Sequence, residues 1–298
     1  MAKDKVGFCF TGEGARGAVQ AGIALGLHEQ GIDADFTIGI SSGSVCSASY
    51  SYLGPKGLAD LWSSVKNIFS IFGINYNFLW KRGLLNQKPM KKKLSKAMEN
   101  EPICESVVVR MNIEDGFMDY VSNKLVKKED FEEAVLASVA ITSLVEDRDG
   151  WVDAGSRQIA PLEQCIHSGC NKIYVIMGRR LTIDPWKKPR GFLSSLKMGM
   201  RAFDVTLQEM MIRDINRCLK KVGDMGYKGI DIYLVEPNET FYESANFRKC
   251  KEGVVYGKTN FEIHDKKALQ SNNYLKGYED VWKRRNRLLR RRTNYLRV

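Results

Sequence analysis

A glycine-rich segment, Gly12-Glu-Gly-Ala-Arg-Gly17, follows the apolar run Val6–Phe10 and precedes residues with helical spacing. Backbone N–H groups at the start of a helix attract negative charge, because they lack partners within the helix. Such a loop can therefore hold a dinucleotide phosphate or the oxyanion of an acyl-transfer intermediate. The loop by itself leaves both uses open.

A serine lies between two glycines in Gly39-Ile-Ser41-Ser-Gly43, directly after a second β-like run, Asp35–Ile40. A serine on a sharp strand-to-helix turn needs small neighbours, because its backbone is strained and the helix begins directly behind it. The turn exposes the hydroxyl near the positive end of the helix, which favours developing negative charge. The pattern predicts that Ser41 is a nucleophile and that Gly39 and Gly43 give its turn room.

A third motif, Asp153-Ala-Gly155, stands within residues 151–162. In this order, the glycine loop, the GxSxG serine and this aspartate resemble the patatin-like phospholipases, which carry a GGGxRG-type loop, a GxSxG serine and a DG[AG] aspartate. The segment Ile159-Ala-Pro-Leu162 also resembles the sequence that follows the aspartate in that family. The resemblance extends over residues 6–180, and more weakly to residue 265.

The resemblance implies a lipid acyl hydrolase with a serine–aspartate dyad, in which Asp153 takes the proton from Ser41 directly. A carboxylate is a weak base at neutral pH, so we expect a dry site that raises the pKa of Asp153. Ala154 and Gly155 would complete the dyad motif, with no metal and no cofactor. The implied oxyanion hole is formed by the loop of Gly12, Glu13, Gly14, Ala15, Arg16 and Gly17.

Glu13 departs from the family pattern, which commonly has glycine at this position. A non-glycine residue disfavours positive φ, and an anionic side chain beside an oxyanion would oppose the chemistry. We therefore expect the Glu13 side chain to point away from the site or to pair with a cation such as Arg16. Ala154 is a second departure, because the dyad motif usually has glycine there.

Three other interpretations remain open at the sequence level. Ser41, Asp153 and His264 follow one another in the order of a hydrolase triad. The glycine loop, with Asp33 or Asp35 as the ribose-binding acid, would suit a dinucleotide-dependent oxidoreductase. A patatin-fold protein with weakened catalysis, which binds a membrane or a partner, is the third, and Glu13 motivates it.

The residues that position these motifs follow an α/β pattern. Short β-branched runs at 6–10, 35–40, 106–111, 172–177 and 230–235 predict strands, and helical spacing follows at 14–30, from residue 42 to the Gly54-Pro55 turn, and at 195–221. A right-handed crossover from the first strand to the second predicts parallel pairing. We expect one patatin-like α/β domain, a three-layer sandwich around a mostly parallel sheet. On its first helix Ala18, Gly22 and Gly26 predict close approach to that sheet.

Composition defines the domains and the partners. The chain has 298 residues, of which 44% are hydrophobic, enough for one large core. We expect the hydrolase domain at 1–280, with an aromatic and lysine-rich cap or insert outside the core at 61–100, and a basic tail at 281–298. The tail carries eight Lys or Arg residues and no acid, which accounts for most of the net charge of +11.

No signal-peptide pattern and no apolar stretch long enough to cross a bilayer occur in the sequence, so we expect a cytoplasmic protein. The basic and aromatic segments, including residues 186–200, leave two interpretations open: peripheral contact with a membrane, or ordinary packing and solvated surface. The expected partner is a phospholipid or another acyl lipid. Nucleic-acid binding is disfavoured because no recognised nucleic-acid fold accompanies the basic tail, and the sequence leaves the oligomeric state open.

Overall fold

The protein has a central β-sheet flanked by helices. Its structure, a computed structural model, describes residues 4–76, 83–182, 194–224 and 229–265. The expected α/β fold with a mostly parallel sheet is confirmed. The sheet order is β10-β9-β8-β1-β2-β5-β6, with β7 paired to β5. The strands are β1 Val6–Phe10, β2 Phe36–Ile40, β5 Glu105–Asn112, β6 Met118–Ser122, β7 Trp151–Asp153, β8 Lys172–Ile176, β9 Asp231–Pro237 and β10 Phe261–His264, while β3 Gly73–Ile74 and β4 Leu85–Asn86 form a separate hairpin.

Parallel pairing joins the five central strands β9, β8, β1, β2 and β5, whereas β6 and β7 run antiparallel to β5. The central strands are almost fully buried, because helices cover both faces of a sheet built by crossovers. Their buried, β-branched sequences therefore made them recognisable in the sequence. Strands β6, β7 and β10 are more exposed and had no such signal.

The helices are α1 Gly17–Glu29, α2 Ser42–Ser63, α3 Lys88–Ala97, α4 Lys128–Ser138, α5 Glu163–His167, α6 Ser194–Asp224 and α7 Cys250–Thr259. Helix α2 breaks at Gly54, where φ is 69°, at the turn where we expected it to end, but it resumes at Pro55 and continues to Ser63, because proline is well suited to the first turn of a helix. A 3₁₀ turn, Gly14–Arg16, precedes α1 and shortens the helix that we expected from residue 14.

The small-residue face of α1 packs against α7, so the expectation that it approaches the sheet is wrong. A Cβ on Gly22 would overlap the carbonyl oxygen of Val254 in α7, and a Cβ on Gly257 would overlap that of Val19 in α1. Glycines on both helices allow the two backbones to meet closely. Periodicity identified the small-residue face but could not identify its partner, which lies far away in the chain.

Residues 61–100 contribute to the main hydrophobic core, so the expectation that this segment lies outside the core is wrong for its buried part. Trp62, Phe72, Met90 and Leu94 belong to the same buried cluster as the sheet residues. The apolar side of α3 covers the core while its lysines face outwards, because the apolar positions recur with helical spacing.

Several predicted segments lie outside the described residues, among them the basic tail 281–298 and most of 186–200. The chain consists of two compact units, Met1–Ile263 and His264–Val298. Only residues 264 and 265 of the second unit are described. The boundary at residue 280 therefore stays a prediction. Across the described ranges, no helix combines the length and the apolar character needed to cross a bilayer.

Candidate active site

The ends of β2 and β7 bring Ser41 and Asp153 together. On β5, Val109 pairs with Ile40 at the end of β2, and the next residue, Arg110, pairs with Asp153. At Arg110, β6 pairs with one side of β5 and β7 pairs with the other. This second side is the one along which β2 pairs with β5, until β2 ends and the chain turns into α2. Because β2 runs parallel to β5 and β7 runs antiparallel to it, the carboxyl ends of β2 and β7 point towards each other. Ser41 therefore lies next to Asp153.

Ser41 has the strained backbone expected of a serine on a sharp strand-to-helix turn. Its φ of 54° and ψ of −129° lie outside the regions that non-glycine residues prefer. A Cβ on Gly39 would overlap the carbonyl oxygen of Gly43, and a Cβ on Gly43 would overlap that of Phe10. At both positions the close approach of a main-chain oxygen leaves no room for a side chain.

A chain of hydroxyl groups supports this turn, and sequence reasoning missed it. The N–H of Ser41 donates to Oγ of Ser138 (3.0 Å) at the end of α4. Oγ of Ser138 lies 2.6 Å from Oγ of Ser44, which in turn donates to the carbonyl oxygen of Gly39 (2.9 Å). Both serines are fully buried. The only sequence signal was that both serines lie among small residues, Ser44 directly after the GxSxG motif and Ser138 in Ala137-Ser-Val-Ala140.

Asp153 has the electrostatic environment of a base. Burial raises the pKa of its carboxyl from 3.8 to about 6, and hydrogen bonds from the Ser41 side chain and the Gly155 N–H partly offset this rise. The Gly155 N–H donates to Oδ1 at 2.8 Å, within a 3₁₀ turn that begins at Ala154. Ser41 and Asp153 are both half-buried.

Most N–H groups of the glycine loop already donate to oxygen atoms of the protein. Gly12 donates to Ile159 O (3.1 Å), Glu13 to Ser42 Oγ (2.9 Å), Ala15 to Ser244 O (2.6 Å) and Arg16 to Glu13 O (3.3 Å). Gly14 differs, because its N–H finds no acceptor among the described residues. Its φ of 60° is also the one positive φ in the loop, a conformation that glycine adopts readily.

The Glu13 carboxylate points away from Ser41 and is neutralised. Its φ of −146° is ordinary for a non-glycine residue, so the backbone tolerates it. Nε of Arg179 donates to Oε2 at 2.9 Å, and the Gly178 N–H and Thr11 Oγ1 donate to Oε1 at 2.8 and 2.6 Å. The expectation of a cationic partner holds, but the cation is Arg179. Arg16 instead pairs with Asp204.

Neither the triad nor the dinucleotide interpretation gains support from these positions. His264 ends the edge strand β10, and the hydrogen bonds that set the pKa of Asp153 come from Ser41 and Gly155. Asp33 and Asp35 precede β2 and therefore lie near the amino ends of the parallel strands, whereas the glycine loop follows the carboxyl end of β1. Dinucleotides bind at the carboxyl ends of parallel strands. Across the described part of the chain, no group of three His, Cys, Asp or Glu residues is placed to hold a metal ion.

A model of the family described as "Patatin-like phospholipase" matches residues 8–166, more than half of the chain. The chain belongs to the patatin-like phospholipase family. The matched residues include most of β1, the glycine loop, Ser41 and Asp153, and the family acts on lipids as acyl hydrolases.

A solved patatin-domain structure, VipD from Legionella pneumophila, is similar to this chain at 11% sequence identity and a TM-score of 0.43. The alignment covers 88% of this patatin-like chain and 68% of VipD. None of the curated proteins that were compared matches the chain.

Proposed function

We propose that this protein hydrolyses carboxylic ester bonds of phospholipids or related acyl lipids, with Ser41 as nucleophile and Asp153 as base. The proposal is carried by the positions of Ser41 and Asp153, which the ends of β2 and β7 bring together opposite neighbouring residues of β5. Burial raises the pKa of the Asp153 carboxyl to about 6. A carboxylate with this pKa is ionised at neutral pH and is a stronger base than an exposed aspartate.

In the first half of the reaction, Oγ of Ser41 attacks the ester carbonyl carbon while its proton moves to Asp153. Collapse of the tetrahedral intermediate breaks the bond to the leaving alcohol, which takes the proton from Asp153. In the second half, water gives a proton to Asp153 and attacks the acyl-enzyme. The fatty acid then leaves, and Ser41 regains its proton.

The N–H of Gly14 is the loop donor that we assign to the oxyanion, because the N–H groups of its neighbours are engaged. The N–H of Ser42, the residue after the nucleophile, is the second donor. It stands in the first turn of α2, where N–H groups have no partner within the helix. Both donors would strengthen their hydrogen bonds as charge develops on the oxyanion.

A fluorophosphonate probe tests this proposal directly, because it phosphonylates only an activated serine. We expect peptide mass spectrometry to find the probe on Ser41, with hydrolysis of short acyl esters lost in proportion to labelling. Absence of labelling at Ser41 in folded protein would contradict the proposal and favour the scaffold with weakened catalysis.

We also propose that the protein binds anionic lipid surfaces through helix α3 and the adjoining β3–β4 hairpin. Lys88, Lys92 and Lys96 recur every fourth residue, so they share one exposed face of α3. The hairpin beside them exposes apolar side chains, with Tyr76 85% and Leu84 53% exposed. Basic and apolar groups together match a surface of acidic headgroups over acyl chains.

Reversing the three charges tests this surface. Each lysine near an anionic membrane contributes about 1 kcal/mol, so the variant Lys88→Glu/Lys92→Glu/Lys96→Glu is expected to bind phosphatidylserine-containing vesicles about 100-fold more weakly in sedimentation assays. The control Lys124→Glu/Lys127→Glu/Lys128→Glu carries the same change in net charge on another exposed segment. Equal losses in the two variants would mean that net charge alone, and not this surface, governs binding.

A further inference from the structure

We infer that Arg179 and Asp204 are positioning residues, which hold the glycine loop in the conformation that presents the Gly14 N–H to the oxyanion. The inference rests on the proposed function and concerns residues outside its motifs. Arg179 follows β8 and Asp204 lies on α6, whereas the loop follows β1.

The first anchor is the contact of Arg179 with Glu13, on the amino-terminal side of Gly14. Glu13 has no exposed surface and Arg179 is 3% exposed, and Nε of Arg179 lies 2.9 Å from Oε2 of Glu13. A buried carboxylate without a partner is strongly unfavourable, so its side chain must stay with the guanidinium. Because the Glu13 N–H donates to Ser42 Oγ, this anchor also connects the loop to the turn after Ser41.

The second anchor is the contact of Asp204 with Arg16, on the carboxyl-terminal side of Gly14. Nη1 and Nη2 of Arg16 donate to the two carboxylate oxygens of Asp204 at 3.2 and 3.1 Å, a bidentate pair that fixes both distance and orientation. Burial raises the pKa of Asp204, but Arg16 and Arg179 outweigh burial and hold the pKa below its ordinary value. Asp204 is therefore ionised at neutral pH.

Arg179 links the two anchors into one network. Its Nη1 donates to the main-chain oxygen of Asp204 at 2.9 Å and lies 3.6 Å from the Asp204 carboxylate. Two acids and two arginines are thus buried together with no net charge. The loop is held at Glu13 and at Arg16, and Gly14 lies between these two points.

The network also explains how a glutamate is tolerated in an oxyanion loop. The carboxylate that would oppose the oxyanion is used as the attachment point for Arg179, on the side away from Ser41. Neither Arg179 nor Asp204 touches Ser41 or Asp153 through any hydrogen bond among the described residues, so both act through the loop. A displacement of about 1 Å at a reacting group can cost about 100-fold in rate, so loss of an anchor should affect kcat.

The test compares Arg179→Met, Glu13→Gln and the double variant Glu13→Gln/Arg179→Met in hydrolysis of a short acyl ester. Arg179→Met leaves the Glu13 charge unpaired and is expected to lower kcat by about 10- to 100-fold, with KM changed less than about threefold. The double variant removes the unpaired charge but still lacks the anchor, so its kcat is expected to stay about 10-fold or more below wild type; recovery to the wild-type rate would mean that only the unpaired Glu13 charge matters and would overturn the inference. The exposed Arg217→Met on α6 is the matched control and should keep the wild-type rate.

Amide hydrogen exchange gives a measurement that does not depend on activity. We expect exchange of the 11–17 amides to accelerate about tenfold in Arg179→Met and to stay fast in the double variant, because both variants lack the anchor. If Arg179→Met is folded and keeps kcat and exchange rates within about twofold of wild type, the inference is wrong. If Ser41→Ala does not reduce hydrolysis, the proposed function fails instead, and the exchange experiment still tests the anchors.

Discussion

Ser41→Ala is expected to lower ester hydrolysis to the background rate, a loss of about 10⁴-fold or more in kcat. The variant lacks the oxygen that forms the acyl-enzyme bond, and no proton transfer to Asp153 can replace that bond. It keeps the Cβ and therefore the strained φ of 54° at the turn. We expect the free energy of unfolding to change by less than about 1 kcal/mol, because no packing contact of the core is removed.

Steady-state hydrolysis of short acyl esters and of phospholipid vesicles measures this loss. Ser156→Ala is the matched control, because Ser156 is an exposed serine in the turn that follows Asp153. It should retain the wild-type rate. Turnover above about a tenth of wild type in Ser41→Ala would exclude Ser41 as the nucleophile.

Asp153→Asn is expected to lower kcat by about 10³-fold, because an amide cannot accept the Ser41 proton. Its side-chain oxygen can still accept the hydrogen bond from the Gly155 N–H, so the 3₁₀ turn should remain intact. The variant therefore separates loss of the base from loss of the fold.

The pH dependence follows from the raised pKa. Because the pKa of Asp153 is about 6, the carboxylate is present above that pH and becomes protonated below it. Wild-type kcat/KM is therefore expected to fall about tenfold for each pH unit below about 6. The residual activity of Asp153→Asn should lack this fall. A wild-type profile that stays flat down to pH 4 would contradict the assignment of Asp153 as the base.

Stability should change in the opposite direction from activity. Burial raises the pKa of Asp153 from 3.8 to about 6, so the folded protein disfavours the ionised carboxyl. The free energy of unfolding should consequently fall as pH rises between those two values, and the cost is complete above about pH 6. At pH 7, Asp153→Asn is expected to be more stable than wild type by up to about 3 kcal/mol. Thermal unfolding at pH 4 and pH 7 measures this difference, and a variant that is less stable at both would indicate a structural role.

Strands β1, β2, β5, β8 and β9 were recognisable from their sequences, because strands covered on both faces are short apolar runs between polar residues or glycines. Strand β7 was not recognisable, since three residues carry no periodicity. Helix α7 was missed as well, although α1 needs it to cover its small-residue face. Its place depends on contact between distant residues and not on a local pattern.

The sequence by itself determined that Ser41 stands on a glycine-flanked turn and that the glycine loop and Asp153 belong to the same family pattern. These features can be recognised locally, because the turn at Ser41 needs residues without a Cβ at Gly39 and Gly43. Only the tertiary structure decided that Gly14 is the loop residue with a free N–H among those described, and that Arg179 is the partner of Glu13. These two residues are 166 positions apart, and their pairing arises because β1 and β8 are neighbours in the sheet. Neighbouring charges such as Arg16 are visible in the sequence, but the partner of a buried charge depends on which strands lie side by side.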